Sequence, residues 1–192
     1  MEFKNYKLTN GNTVKVFYDQ DNPRNDFDNL GTMVCWHKRY NLGDKHNYEV
    51  PEDVEAFKKK LDARIFLPLY LYDHSGQTIS TKPFGCRWDS GQVGFIYVSR
   101  KKLLEEYGGK RVTKKMLETA EKVILAEVEL YDSYIRGDVY GFKEYDADGK
   151  EVNSGYGFYG DDDPNKNGMA YYFSAPIECE LRKKNRAEVL HN

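Results

Sequence analysis

Apolar positions repeat with a period of two in the outer parts of this chain and near 3.6 in its centre, and each period predicts an element type. "TVKVFY" (Thr13–Tyr18) alternates as a half-buried strand does, and "DQDNPRNDFDN" after it is turn chemistry. "TMVCWHKRY" predicts a second strand, with Val34 and Trp36 on one face, Cys35 and His37 on the other, and "LGD" as its stop. "RIFLPLYLYD" is nearly continuous apolar and predicts a central strand, in which Pro68 requires a free edge or a bulge. "VGFIYVS" (Val93–Ser99) predicts another buried strand.

"VPEDVEAFKKKL" predicts a short helix with Pro51 in its first turn, acids at its start and lysines at its end. A second short helix is expected over Arg100–Tyr107, capped by Ser99 and stopped by Gly108 and Gly109. The longest helix follows Thr113 as N-cap. Met116, Leu117, Ala120, Val123, Ile124, Val128, Tyr131, Tyr134 and Ile135 recur at helical spacing, only Glu127 breaks the stripe, and Gly137 ends it. Beyond Gly137 the period returns to two: Asp148-Gly149 marks a hairpin, and "MAYYFSAPIECEL" supplies another strand or two.

These elements predict an α+β fold: a single domain over 1–192, with a mainly antiparallel twisted sheet packed on one long helix (113–136) and two short helices. Leu67, Leu69, Leu71, Phe95, Tyr97, Val123, Ile124 and Val128 are the expected core. An acidic, aromatic β-hairpin region (138–180) and a short basic tail (181–192) complete it.

Composition narrows the class. Apolar residues are 40% and aromatics 15%, as in globular proteins and unlike disordered ones. No apolar run approaches the length of a membrane span, and "MEFKNYKLTN" is no signal peptide, so a soluble, cytoplasmic protein is expected. Cys35, Cys86 and Cys179, odd in number and widely spaced, read as free thiols. The formal charge of −2 hides a gradient: Arg100–Arg136 carries net +2, Gly137–Glu180 net −7, and the last twelve residues net +3.

Several constellations suggest chemistry. Asp28, His37, Asp44, His46, Asp73, His74 and Asp89 hold enough imidazole and carboxylate for a water-activating metal site, the basis of a metal-dependent nuclease. Their spacing matches no ligand signature, and Lys38, Arg39 and Lys45 beside the histidines repel a cation. Ser90 near Asp73 and His74 suggests a triad, yet "DSG" is an ordinary turn. Cys35 and Cys86 lack the setting of a reactive thiol. "DPNKNG" (Asp163–Gly168) starts like a calcium loop, but Ser174 stands where its last ligand belongs. Lys101, Lys102, Lys110, Arg111, Lys114 and Lys115 form a basic run suited to direct nucleic-acid contact. No catalytic residue, metal or cofactor is assigned from the sequence, and the protein reads as a binder more than an enzyme.

The acidic aromatic stretch is the most distinctive. Nine Tyr or Phe residues lie between Val139 and Phe173, among eight acids from Asp138 to Asp163. Carboxylates on a stiff β-surface imitate a row of phosphates, and tyrosines anchor protein partners. Asp146, Asp148, Glu151, Tyr156, Tyr159, Asp161, Asp162 and Asp163 are the expected partner-binding residues.

The runs "NPRNDFDNLGTMVCWHKRYNLGD", "LPLYLYDHSG" and "WDSGQVGFIYVS" resemble a group of small proteins encoded by bacteriophages, prophages and other mobile elements, over roughly residues 13–142. The resemblance implies an accessory protein, by analogy an anti-defence or anti-CRISPR inhibitor, whose partner is a host protein that handles nucleic acid, such as a CRISPR effector nuclease. It implies no catalytic residues, and it leaves the acidic segment uncovered.

Overall fold

The computed structural model describes residues 2–181; the basic tail lies outside the described residues apart from Leu181. The fold is α+β, with two antiparallel sheets and one long helix. The chain divides into two compact units, residues 22–136 and residues 1–21 with 137–192.

In the first of these, β3 (Thr32–Cys35), β6 (Ser90–Ser99), β4 (Ala63–Asp73) and β5 (Gln77–Ser80) form a sheet in that spatial order. The long helix α4 (Lys114–Arg136) covers it. Thr113 Oγ1 accepts the Met116 N–H at 3.3 Å, and Gly137 follows the helix in the left-handed region at φ 79°. Ala120, Ile124, Val128 and Tyr131 form its buried stripe, against Met33, Leu69, Leu71, Ile79 and Ile96. Val123, expected in the core, is 37% exposed: the stripe centres on Ile124, and the adjacent residue is turned about 100° away. Leu67 is half-buried against the cluster. Short helices α1 (Pro23–Asp26), α2 (Val54–Lys60) and α3 (Arg100–Tyr107) complete the unit.

Pro68 sits inside β4, but β5 pairs with β4 only from Tyr70 onward, and a register shift follows Leu69. The strand is edge-like where proline requires it. Two boundaries differ from expectation. Asp53, not Pro51, starts α2, accepting the Glu55 and Ala56 N–H groups. β3 ends at Cys35: Trp36 still donates its N–H to Val93 O at 2.7 Å, but the chain beyond it leaves the sheet and returns through a lone bridge between Val34 and Gly43.

In the second unit, β8 (Glu151–Tyr159), β7 (Val139–Tyr145), β2 (Thr13–Tyr18), β1 (Glu2–Leu8) and β9 (Ile177–Leu181) form a five-stranded sheet in that order. The strands after Gly137 therefore join the N-terminal hairpin in a sheet of their own, where one sheet for the whole chain was expected. Its core is Tyr6, Leu8, Val14, Val16, Tyr140, Phe142 and Met169. "MAYY" is a 3-10 turn (Met169–Tyr172) instead of a strand. No helix among the described residues is long and apolar enough to cross a membrane.

Candidate functional site

The β7–β8 hairpin and the segment after it build an aromatic surface in the second unit. Asp146 shapes the hairpin turn: its carboxylate accepts the Asp148 and Lys150 N–H groups at 3.0 and 2.9 Å, and Gly149 supplies φ 79°. Further along β8, Tyr140 pairs with Phe158 and Phe142 with Gly155, so Tyr156 and Gly157 together face Gly141. This is a bulge, with Gly157 at φ 69° and its N–H donated to Asp19 Oδ2 at 2.9 Å. Gly141 leaves room for the Phe17 ring, which meets Tyr156 edge-on at 5.7 Å. Tyr156 is held there 54% exposed.

β8 is an edge strand, and the 3-10 turn is tied beside it by Asn153 Nδ2 donating to Tyr172 O at 2.7 Å. Tyr171 is 90% and Tyr172 65% exposed. Ser154, Tyr156, Phe158, Asn167, Tyr171 and Tyr172 line an open concavity of about 820 Å³ between them.

The expected acidic residues are less free than their sequence suggests. Asp161 accepts the Asp163 N–H and pairs with Lys166 at 3.1 Å, and these two interactions, in that order, hold its carboxyl below the usual range. Asp162 pairs with Lys4 at 2.9 Å, and Glu151 with Lys143 at 2.9 Å. Asp163 accepts the Asn165 N–H and shapes the loop, so the calcium-like run is a turn; Ser174 serves Glu144 instead. Tyr159 donates to Asp21 O at 3.0 Å. Of the eight expected contact residues, Asp146 and Asp163 are spent on amides of their own turns, while Asp148 and Tyr156 are exposed and have no acid–base partner among the described residues. The field survives this pairing: residues 2–21 and 137–181 hold thirteen acidic and six basic residues, net −7 with every pair counted, and the sequence of the whole unit, with the basic tail, still sums to −4.

Glu144 organises the surface from beneath. It is fully buried, and it accepts from Asn12 Nδ2 at 2.6 Å, Ser174 N at 3.0 Å, the Ser174 hydroxyl and Asn153 Nδ2 at 3.5 Å. Burial pushes its carboxyl up, but the bonds from Asn12 and Ser174 outweigh that and hold it below the usual range. Asn153 thereby joins Glu144 to the Tyr172 carbonyl.

In the other unit the Asp/His set does not converge. Asp28 is exposed and reaches Lys102 at 3.4 Å. Asp44 binds Arg24 through both oxygens, at 2.8 and 2.7 Å. His46 has both ring nitrogens engaged, with Cys35 O at 2.9 Å and Tyr48 N at 3.2 Å. His37 accepts the Arg39 N–H and stacks on Tyr40, Asp73 pairs with Arg39, and His74 lies 3.6 Å from Asp89. Among the described residues no group of three His, Cys, Asp or Glu is placed to hold a metal ion. Ser90 donates to the Cys86 carbonyl, which is no base, so its hydroxyl is not set up as a nucleophile; the Cys86 thiol donates to the Asp89 carboxylate at 3.2 Å. Burial, with Asp44 adding, pushes the Cys35 thiol up to about 12. Lys101, Lys102 and Lys114 of the basic run pair with Glu105, Asp28 and Glu118.

The stretch Asn29–His46 is organised instead by Arg24, 2% exposed, which also reaches Glu127 Oε2 at 3.0 Å and Gly31 O at 2.6 Å. Trp36 packs edge-on to His46 and Phe95, tilts against Phe57, and donates to Tyr48 O at 2.7 Å. Trp36→Ala is expected to cost about 3 kcal/mol in urea unfolding, the low end for such truncations because the ring is only half-buried. His46→Gln should cost less than 1 kcal/mol of that order.

Sequence reasoning missed Tyr171, Tyr172, Arg24 and Glu144. The alternation of β7 carried one signal, since Tyr140, Phe142 and Glu144 share a face and only two of them are apolar. Comparison of the chain with known protein families, curated proteins and solved structures finds no match.

Proposed function

We propose that this is a non-enzymatic inhibitor or adaptor of the phage accessory type, acting in the host cytoplasm, that docks on a host protein handling nucleic acid. The observation that carries the reading is the coincidence, in one unit, of three exposed tyrosines around a concavity with a net charge of −7 over the described residues of that unit, 2–21 and 137–181. Tyrosines supply large contact area at little entropic cost, and so act as anchors. The negative field steers the unit toward a basic groove and raises the association rate. The resemblance to phage-encoded proteins suggests the setting, and a CRISPR effector nuclease is a partner of this kind. A metal-dependent nuclease is disfavoured by the scatter of the Asp/His set.

Two variants separate anchoring from steering. Tyr171→Ala should weaken partner binding about thirtyfold, mainly through a faster off-rate, as hot-spot truncations do. Asp148→Lys should act on the on-rate, and added salt should mimic it. Asp148 is the better site for reversal than Asp161 or Asp162, whose replacement also breaks pairs with Lys166 and Lys4. Surface-bound association kinetics across a salt series read both; equal kinetics for all three proteins would refute the reading.

A further inference from the structure

The end of the four-stranded sheet where β3 and β4 leave and β6 enters carries a different kind of surface. Residues of the segment between Cys35 and Val50, though not Arg39, Tyr48 or Glu49, line an open cleft of about 910 Å³, near the upper end of pockets that take small ligands (roughly 300–1,000 Å³). Lys38 and Lys45 line it, both exposed, and among the described residues neither ammonium has an acidic partner. At its rim His37 and Tyr40 stack at 4.9 Å, 7° from parallel. Arg39, in the same segment, reaches Asp73 at 2.5 Å, and the Asp73 N–H donates to Asp89 O at 2.8 Å, so this segment is tied through Asp73 to the loop before β6.

On that loop Trp88 is 96% exposed. Tryptophan is ordinarily well buried, so a bare indole marks a contact surface. Arg87 next to it in sequence, and Lys82 earlier on the same loop, are exposed and lack an acidic partner among the described residues. The nearest acid, Asp89, is turned to the Cys86 thiol at 3.2 Å and His74 at 3.6 Å. Phe84, against Tyr72 at 5.8 Å, supports the loop from behind.

We propose that this sheet end binds single-stranded nucleic acid, with Trp88 stacking on a base and Lys38, Lys45 and Arg87 neutralising the backbone. The cations that repel a metal from His37 and His46 are those that attract phosphates. Flat aromatic groups interleaved with unpaired cations are what a single-strand site requires, and a duplex offers no free base face to an indole. The surface is distinct from the lysines of α3 and α4, and it does not depend on the tyrosine surface of the other unit.

Intrinsic fluorescence tests this directly. The chain has two tryptophans, and Trp36 is half-buried with its N–H bonded, so a base stacked on Trp88 dominates any quenching. Titration of the full chain at low salt with short oligo-dT and oligo-U strands, and with a duplex of equal length, should show saturable quenching by strands only. Trp88→Ala should weaken binding about tenfold or more in an anisotropy assay. The double variant Lys38→Ala, Lys45→Ala should lower the salt slope by about 1.4. Both variants change exposed side chains, so the fold is retained. Absence of saturable strand binding, equal affinity for duplex, or unchanged affinity in Trp88→Ala would each overturn the proposal. So would a fluorescence change driven by protein concentration alone, which assigns the surface to a second copy of this chain.

Discussion

Arg24→Ala should destabilise residues 22–136 by about 3–5 kcal/mol, the range for removing one partner of a buried charge cluster. The guanidinium holds Asp44 through a two-bond fork, Glu127 through a third nitrogen, and the Gly31 carbonyl. Both carboxylates have other duties. Asp44 accepts the Met33 N–H at 2.8 Å, and Glu127 the Leu30 and Gly31 N–H groups at 2.7 and 3.1 Å. Without Arg24, two carboxylates remain in poorly solvated positions with no counter-charge, and β3 loses its tie to α4. Arg24→Lys should recover only part of the loss, since an ammonium lacks the planar fork. Urea unfolding measures the size of the effect, and amide exchange at Leu30, Gly31 and Met33 places it. A loss under 1 kcal/mol would show that the cluster is dispensable.

Glu144→Ala is the second large effect, about 3 kcal/mol, in the other unit. Its carboxylate serves the Ser174 N–H and the side chains of Asn12, Ser174 and Asn153, and alanine leaves those donors without their acceptor. The pH dependence follows from its sign. The folded carboxyl sits below its ordinary range, so its stabilisation is fully present above the unfolded value, about 4.3, and is lost as pH falls through the folded value. The stability gap between wild type and Glu144→Ala should therefore be constant near neutrality and close in acid. A gap independent of pH down to complete acid unfolding would contradict the assignment.

Local elements were legible because their signals are local. Ser99, Thr113, Gly108 and Gly137 stand where the helices start and stop, and Asp148-Gly149 stands at its turn. Which strands share a sheet was not, because the pairing of β2 with β7 joins residues more than a hundred positions apart and leaves no short-range trace. Glu127 looked like a flaw in an apolar stripe, and it is the acceptor for a loop nearly a hundred residues away. The acidic character of the 138–180 region was plain from sequence. Which of its residues are available was not, since Lys4 and Lys166 neutralise two of its aspartates and a bulge decides where Tyr156 sits.

The most direct test of the proposed function is paired affinity purification from a bacterial host lysate at low salt. Wild-type protein and a Tyr156→Ala, Tyr171→Ala, Tyr172→Ala variant would be immobilised side by side, with quantitative mass spectrometry on what each retains. All three tyrosines are more than half exposed, so the variant keeps the fold. The account predicts that wild type retains a basic, nucleic-acid-handling protein that the variant does not. An identical set of retained proteins, or none, would contradict it.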